Sequence, residues 1–199
     1  RLWDPFLRGF HWLLVFFVAA AWLLGNYGPT SMTLHFWCGY MVTFLLAFRL
    51  VWGFIGPEPA RFSHFLRGPG AIADYARHMF LRQPSYWPGH NPLGALSVIA
   101  MLAALVAQVG TGMMSESDNF IDAGPLAGSV SAATRKAAGS YHGFGANLIL
   151  VLVLLHVGVM LFYRFWKHED LVGPMLTGEK EVPEEVAHKL SHDRPTHQI

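Results

Sequence analysis

Two histidines stand fourteen residues apart inside one apolar run, His142 and His156 in YHGFGANLILVLVLLHVGVMLFY. On a helix that spacing gives ~21 Å of rise and about four turns, so both imidazoles face the same way at two different depths. An imidazole inside a bilayer is costly unless it has a partner or a task. Two more histidines, His11 and His35, open the first two apolar runs. Four histidines at two levels can ligate two haem irons, each held between two imidazoles, and such sites would carry electrons across a membrane. Zinc or copper would want clustered ligands, and two pairs ~20 Å apart do not offer them. The apolar runs contain no carboxylate, which argues against an intramembrane proton relay.

The elements that must position these residues are four apolar segments. They run from about Phe10 to Gly25, Leu34 to Phe54, Leu93 to Met114 and Tyr141 to Tyr163. Each is near the ~20 residues that cross a ~30 Å hydrocarbon core, and the first reaches that length more easily if Pro5 to Phe10 joins it. The third has neither charge nor histidine and reads as a packing helix. The expected fold is an all-α integral membrane protein, a four-transmembrane-helix bundle with two haem b sites in its core. It would occupy residues 1–178, with residues 179–199 as a solvated cytoplasmic tail carrying a short helix near Pro183 to Leu190.

Composition agrees with that class. Of 199 residues, 53% are hydrophobic and only 14% charged. The net charge of +1 and the lack of a basic stripe exclude nucleic-acid binding. A single cysteine, Cys38, rules out an internal disulfide and a thiolate cluster, and no C-x-x-C-H motif exists to attach a c-type haem. The first apolar run carries His11 and Arg8 with no small-residue cleavage site after it, so it reads as a span and not as a removed signal.

Basic residues orient the spans. Arg135 and Lys136 fall in the third connection, and the other twelve of the fourteen fall at the termini, in the second connection, or at Arg49 near the end of the second span. Both termini are therefore expected in the cytoplasm, with the third connection in the periplasm. Within the second connection, GPGAIADYARHMFLR predicts a short helix on the inner membrane surface, with Pro69 in its first turn and Ile72, Tyr75, Ala76 and Met79 on its apolar stripe.

Orientation then sets depth. His11 and His156 fall on the inner half, and His35 and His142 on the outer half. Each pair can supply two axial ligands from different helices of the bundle. Gly39, Gly143, Gly145 and Gly158 lie beside these positions, where a flat macrocycle needs missing side chains. Trp12, Phe36, Trp37, Phe144 and Phe162 are candidates to line the haems. Arg8 and Arg49 are candidate partners for the propionates of the inner haem, and Arg135 or Lys136 for those of the outer one. A quinone would need hydrogen-bonding groups beside one haem, and His64, His90, Asn91 and Arg8 could serve on the inner side. The remaining histidines of the second connection and the tail read as solvated.

RLWDPFLRGFHW, LHFWCGYMVTFLLAFRLVWGFIGP, GHNP and YHGFGANLILVLVLLHVGV together resemble the bacterial cytochrome b561 family, which includes the cytochrome b subunits of nickel–iron hydrogenases and related formate dehydrogenases. The similarity runs from about Arg1 to Gly178. It implies four spanning helices, two non-covalent haem b groups ligated by His11, His35, His142 and His156, and exchange of electrons with membrane quinone. The GPLAGSVS stretch is similar to members that work with c-type cytochromes.

The expected function is electron transfer across a bacterial inner membrane, between the quinone pool and a periplasmic c-type cytochrome or hydrogenase-like redox subunit. Two other classes compete with it: a stand-alone quinol oxidase acting on oxygen or superoxide, and a structural subunit of a larger redox complex. A homodimer in the lipid is compatible with so small a bundle.

Overall fold

The computed structural model describes residues 3–29, 31–66, 68–81, 90–116 and 122–179. It contains four long helices, each long and apolar enough to cross a membrane: α1 (Pro5–Tyr27), α2 (Thr33–Ile55), α5 (Pro92–Met114) and α6 (Ala132–Phe165). Between α2 and α5 lie α3 (Phe62–Phe65) and α4 (Pro69–His78), and α7 (Gly173–Thr177) follows α6. Among the described residues there is no β-strand; Glu116 and Ala123 form an isolated antiparallel bridge.

Local chemistry sets the helix starts. The Asp4 carboxylate accepts from the backbone N–H of Leu7 and Pro5 occupies the first turn, so α1 begins at Pro5 and reaches full spanning length. Asn91 caps α5 the same way, its Oδ1 accepting from Gly94 N at 2.7 Å ahead of Pro92. The fourth span differs from the sequence expectation. It begins at Ala132 rather than near Tyr141, because Ser131 caps Thr134 N and the following AATRKAAGS is alanine-rich enough to continue as helix. At 34 residues, α6 is ~51 Å long and projects beyond a hydrocarbon core. The short helix α4 matches its expected start at Pro69, with Tyr75 buried, Ile72 and Met79 half-buried and Ala76 exposed. The expected tail helix and Arg82 lie outside the described residues.

The four spans run alternately up and down. One end of the bundle, the near end, holds the start of α1, the end of α2, the start of α5 and the end of α6; the far end holds the opposite termini. Helix α1 packs along α2, α5 packs along α6, and α2 against α5 joins the two hairpins. Helix α6 makes no comparable backbone approach to α1 or α2. The apolar core has two parts. Trp3, Leu7, Phe10, Leu45 and Ala60 form the near one, and Val42, Leu46, Leu105 and Ile149 lie deeper between the hairpins. Most other large apolar side chains of the spans are exposed, which a lipid solvent permits and water would not.

The near end is closed by the chain after α6. Helix α7 lies against the start of α1, where Arg8 Nη1 donates to Leu176 O, Trp12 Nε1 donates to Met175 O at 3.3 Å and Trp3 N to Gly178 O at 3.4 Å. Gly178 has φ 85°, the left-handed conformation that a side chain would strain, and it ends α7 beside the Arg8 guanidinium.

Candidate functional site, a bis-histidine haem scaffold

His35 on α2 and His142 on α6 face each other at the far end, ring centroids 5.9 Å apart and planes at 86°. Each ring is fixed by a carbonyl of its hairpin partner. His35 Nδ1 bonds Ala21 O of α1 at 2.9 Å, and His142 Nδ1 bonds Gln108 O of α5 at 3.0 Å. A carbonyl can only accept, so both Nδ1 atoms carry the proton. Both Nε2 atoms are then left as lone-pair donors, the tautomer an imidazole needs to bind a metal.

The same device builds both contacts. In a helix the carbonyls of Ala21 and Gln108 face the residues four positions on, and these are Gly25 and Gly112. A Cβ at Gly25 would lie 3.2 Å from His35 Cε1, and a Cβ at Gly112 would lie 2.8 Å from His142 Cε1. The glycines open the helix surface so that a histidine from the next helix can reach a backbone carbonyl. Gln108 adds a return bond, its Nε2 donating to His142 O at 2.9 Å, and Gly145 leaves room for its Oε1.

At the near end, His11 on α1 and His156 on α6 lie within electrostatic reach of each other. Both are half-buried, and His11 Nδ1 is buried without a hydrogen-bond partner. Arg49 is 2% exposed; one Nη donates to Ala60 O at 3.1 Å, the guanidinium sits 4.6 Å from the Phe62 ring centre, and the other Nη is buried and unpartnered. Arg8 likewise has a buried, unpartnered Nε. His90 is wedged between Trp3 and Phe65, at 4.8 and 4.9 Å between ring centroids, with its Nδ1 buried and unpartnered. Burial, and then the nearby Arg49, His156 and His11, push its pKa down to about 4.

The ligand candidates and the inner-side candidates thus divide by place. His35 and His142 meet at the far end; His11, His156, Arg8, Arg49 and His90 gather at the near end. His64 is half-buried on α3, next to Phe65. Asn91 is committed to the fold, capping α5 through its oxygen and donating to Tyr163 Oη at 3.0 Å through its nitrogen. Of the small residues, Gly145 packs on Gln108, whereas a Cβ at Gly39, Gly143 or Gly158 would meet open space. Trp37 and Phe144 are more than half exposed. Arg135 is paired with Glu116 at 3.1 Å and also donates to Ala127 O and Val130 O, and Lys136 is exposed.

Sequence reasoning missed Gln108, whose signal was a primary amide deep in a charge-free span. It named Asn91 and Tyr75 but missed their association with Tyr163 and Lys167, in which Tyr75 Oη and Tyr163 Oη share a hydrogen bond, Asn91 donates to Tyr163 Oη and Lys167 Nζ lies 5.3 Å from the Tyr163 ring centre. Nothing in a one-dimensional pattern couples a surface helix to the end of the last span.

These features suit a haem. Imidazoles with free Nε2 face each other across a seam where backbones stay apart, and unpartnered guanidinium and imidazole N–H groups line the near end, ready for anionic groups. The prokaryotic cytochrome b561 family matches residues 2–178, and the chain belongs to that family. It is a b-type cytochrome of the bacterial inner membrane that transfers electrons. A relative described as a probable Ni/Fe-hydrogenase B-type cytochrome subunit, from Rhizobium leguminosarum bv. viciae, is 25% identical over 211 residues, covering 90% of this chain and 87% of that protein. No solved structure matches the chain.

Proposed function

We propose that the chain holds two non-covalent haem b groups, one between His35 and His142 and one between His11 and His156, and passes electrons across the membrane between the quinone pool and a redox protein at the periplasmic face. The observation that carries this is the far pair, opposed at 5.9 Å with both Nδ1 atoms on backbone carbonyls. His35 and His142 would hold the far haem and His11 and His156 the near one; a haem would supply a one-electron couple, and two histidines for each iron would favour electron transfer over oxygen chemistry. The fourteen-residue step along α6 separates its two ligands by ~21 Å, so the sites serve opposite halves of a bilayer.

The protein's own groups do the rest. Arg8 and Arg49 offer unpartnered N–H groups to the propionates of the near haem. His90, with Nδ1 unpartnered in an aromatic cleft between Trp3 and Phe65, is the group that meets a quinone carbonyl. His64 adjoins Phe65 of that cleft in sequence, and Asn91, next to His90, donates to Tyr163 Oη. The basic residues gathered toward the near end support both termini in the cytoplasm. The relative's description supports a hydrogenase-like partner, and a c-type cytochrome is the alternative.

Haem content and reduced-minus-oxidised spectra of the purified protein test the reading. Two non-covalent low-spin haems per chain, reducible by a quinol, are expected. One haem would break one of the pairs, and none would leave only a membrane scaffold.

A further inference from the structure

We infer, on the two-site reading above, that Trp22 is a positioning residue for the far haem, its indole N–H donating a hydrogen bond to one of the anionic propionates. The residue holds and orients the group, and no covalent bond or proton changes hands.

Trp22 stands on the interior stripe of α1. It follows His11 by eleven residues, a rise of ~16 Å and about three turns of helix, so the two side chains leave the same face. Its height is that of the far pair. The carbonyl before it, Ala21 O, bonds His35 Nδ1 at 2.9 Å, and Gly25, the next turn of α1, opens against the His35 ring. A tryptophan near the end of a span ordinarily sits at the lipid interface with its N–H toward the headgroups. Trp22 departs from that pattern, because its Nε1 is buried and has no hydrogen-bond partner. An indole nitrogen can only donate, and a buried donor left unpaired costs stability. The atom calls for an acceptor that the polypeptide does not supply.

Competing donors at this end are committed to the fold. Asn26 Nδ2 donates to Trp22 O at 2.8 Å, Gln108 Nε2 to His142 O at 2.9 Å, Thr111 Oγ1 to Ala107 O at 2.8 Å and Ser115 Oγ to Gly112 O at 3.1 Å. Arg135 is engaged by Glu116, Ala127 O and Val130 O, and Lys136 is exposed. Gln108 Oε1 is also buried and unpartnered, but it accepts, and a carboxylate needs a donor. Among the described residues, Trp22 Nε1 is thus the buried side-chain donor left without a partner at the far end. A propionate is the anionic acceptor that a haem brings, and a hydrogen bond to a charged group is stronger than one between neutral groups. The near end differs in kind, since its unpartnered donors include the Arg8 and Arg49 guanidiniums.

Haem release from the purified full chain to excess apomyoglobin tests the assignment. The parent protein is expected to release two haems, and His35→Ala, which lacks the far one, identifies the far phase by its loss. Trp22→Phe keeps an aromatic ring and removes the N–H. It should speed the far phase about tenfold or more and leave the near phase unchanged. Infrared difference spectra with haem isotope-labelled at its carboxyl groups separate a lost hydrogen bond from loosened packing: a propionate carboxylate band should shift in Trp22→Phe, which looser packing alone would not cause. A parent-like far phase, acceleration of the near phase alone, or an unshifted band would overturn the role of Trp22. Should Trp22→Phe not fold, solid-state NMR of the parent decides: a dipolar contact between the Trp22 indole nitrogen and a haem carboxyl carbon is expected, and its absence overturns the role. Two haems in the parent with Trp22→Phe indifferent would defeat this role alone, whereas fewer than two would defeat the two-site reading and the role of Trp22 with it.

Discussion

Gln108 and His142 hold each other from both directions: the ring Nδ1 of His142 bonds Gln108 O at 3.0 Å, and the Gln108 amide donates to His142 O at 2.9 Å. Helix α5 therefore does more than pack, because it orients a histidine carried by its neighbour, the proposed ligand of the far haem. Gln108→Leu removes the return bond and keeps the carbonyl. It should cost about 1 kcal/mol of stability and broaden the low-spin electron paramagnetic resonance signal of the far haem, with haem content retained. An unchanged signal would show that the backbone carbonyl alone orients the ring.

Gly112 should tolerate no side chain. Its Cβ would sit 2.8 Å from His142 Cε1, whereas a Cβ at Gly110 meets nothing within 4 Å. Gly112→Ala is expected to displace the ring and drop the haem-to-chain ratio toward one, and Gly110→Ala to keep the parent ratio. Pyridine haemochromogen assays of both variants read the difference.

His156→Ala should abolish the near haem and quinol-linked reduction together while the far haem survives. Finding both haems intact in that variant would remove His156 from the ligand set.

Tyr163 anchors α4 and the start of α5 to the end of α6, since its hydroxyl meets both Tyr75 Oη and Asn91 Nδ2. Tyr163→Phe removes both of these hydrogen bonds, at a cost of about 1–3 kcal/mol. Thermal unfolding in detergent should register that loss with the haem spectra unchanged.

Acid sensitivity should trace in part to His90. Its folded pKa of about 4 lies below the ordinary 6.5. Below pH 6.5 the unfolded chain takes up a proton that the folded chain refuses, so this contribution is complete above 6.5 and drains as pH falls toward 4. The loss is about 3 kcal/mol at most. His90→Gln should flatten the fall in melting temperature between pH 7 and pH 4.5; a parent-like slope would place the acid sensitivity elsewhere.

The sequence by itself determined the number of spans, their approximate limits and the ~21 Å step between His142 and His156, because hydropathy and the helical repeat are local properties. The early start of α6 at Ala132 was legible in principle, through the Ser131 cap, but apolar content drew the boundary at the membrane edge instead. Only the tertiary structure decided what stands behind His35 and His142. Ala21 and Gln108 serve His35 and His142 through backbone atoms that every residue possesses, so no residue type announces the role. The work of Gly25 and Gly112 is likewise visible only as the space each leaves for a ring from the adjacent helix. Contacts of this kind depend on how neighbouring helices are rotated about their axes. Packing across the whole bundle sets that rotation, and no single segment encodes it.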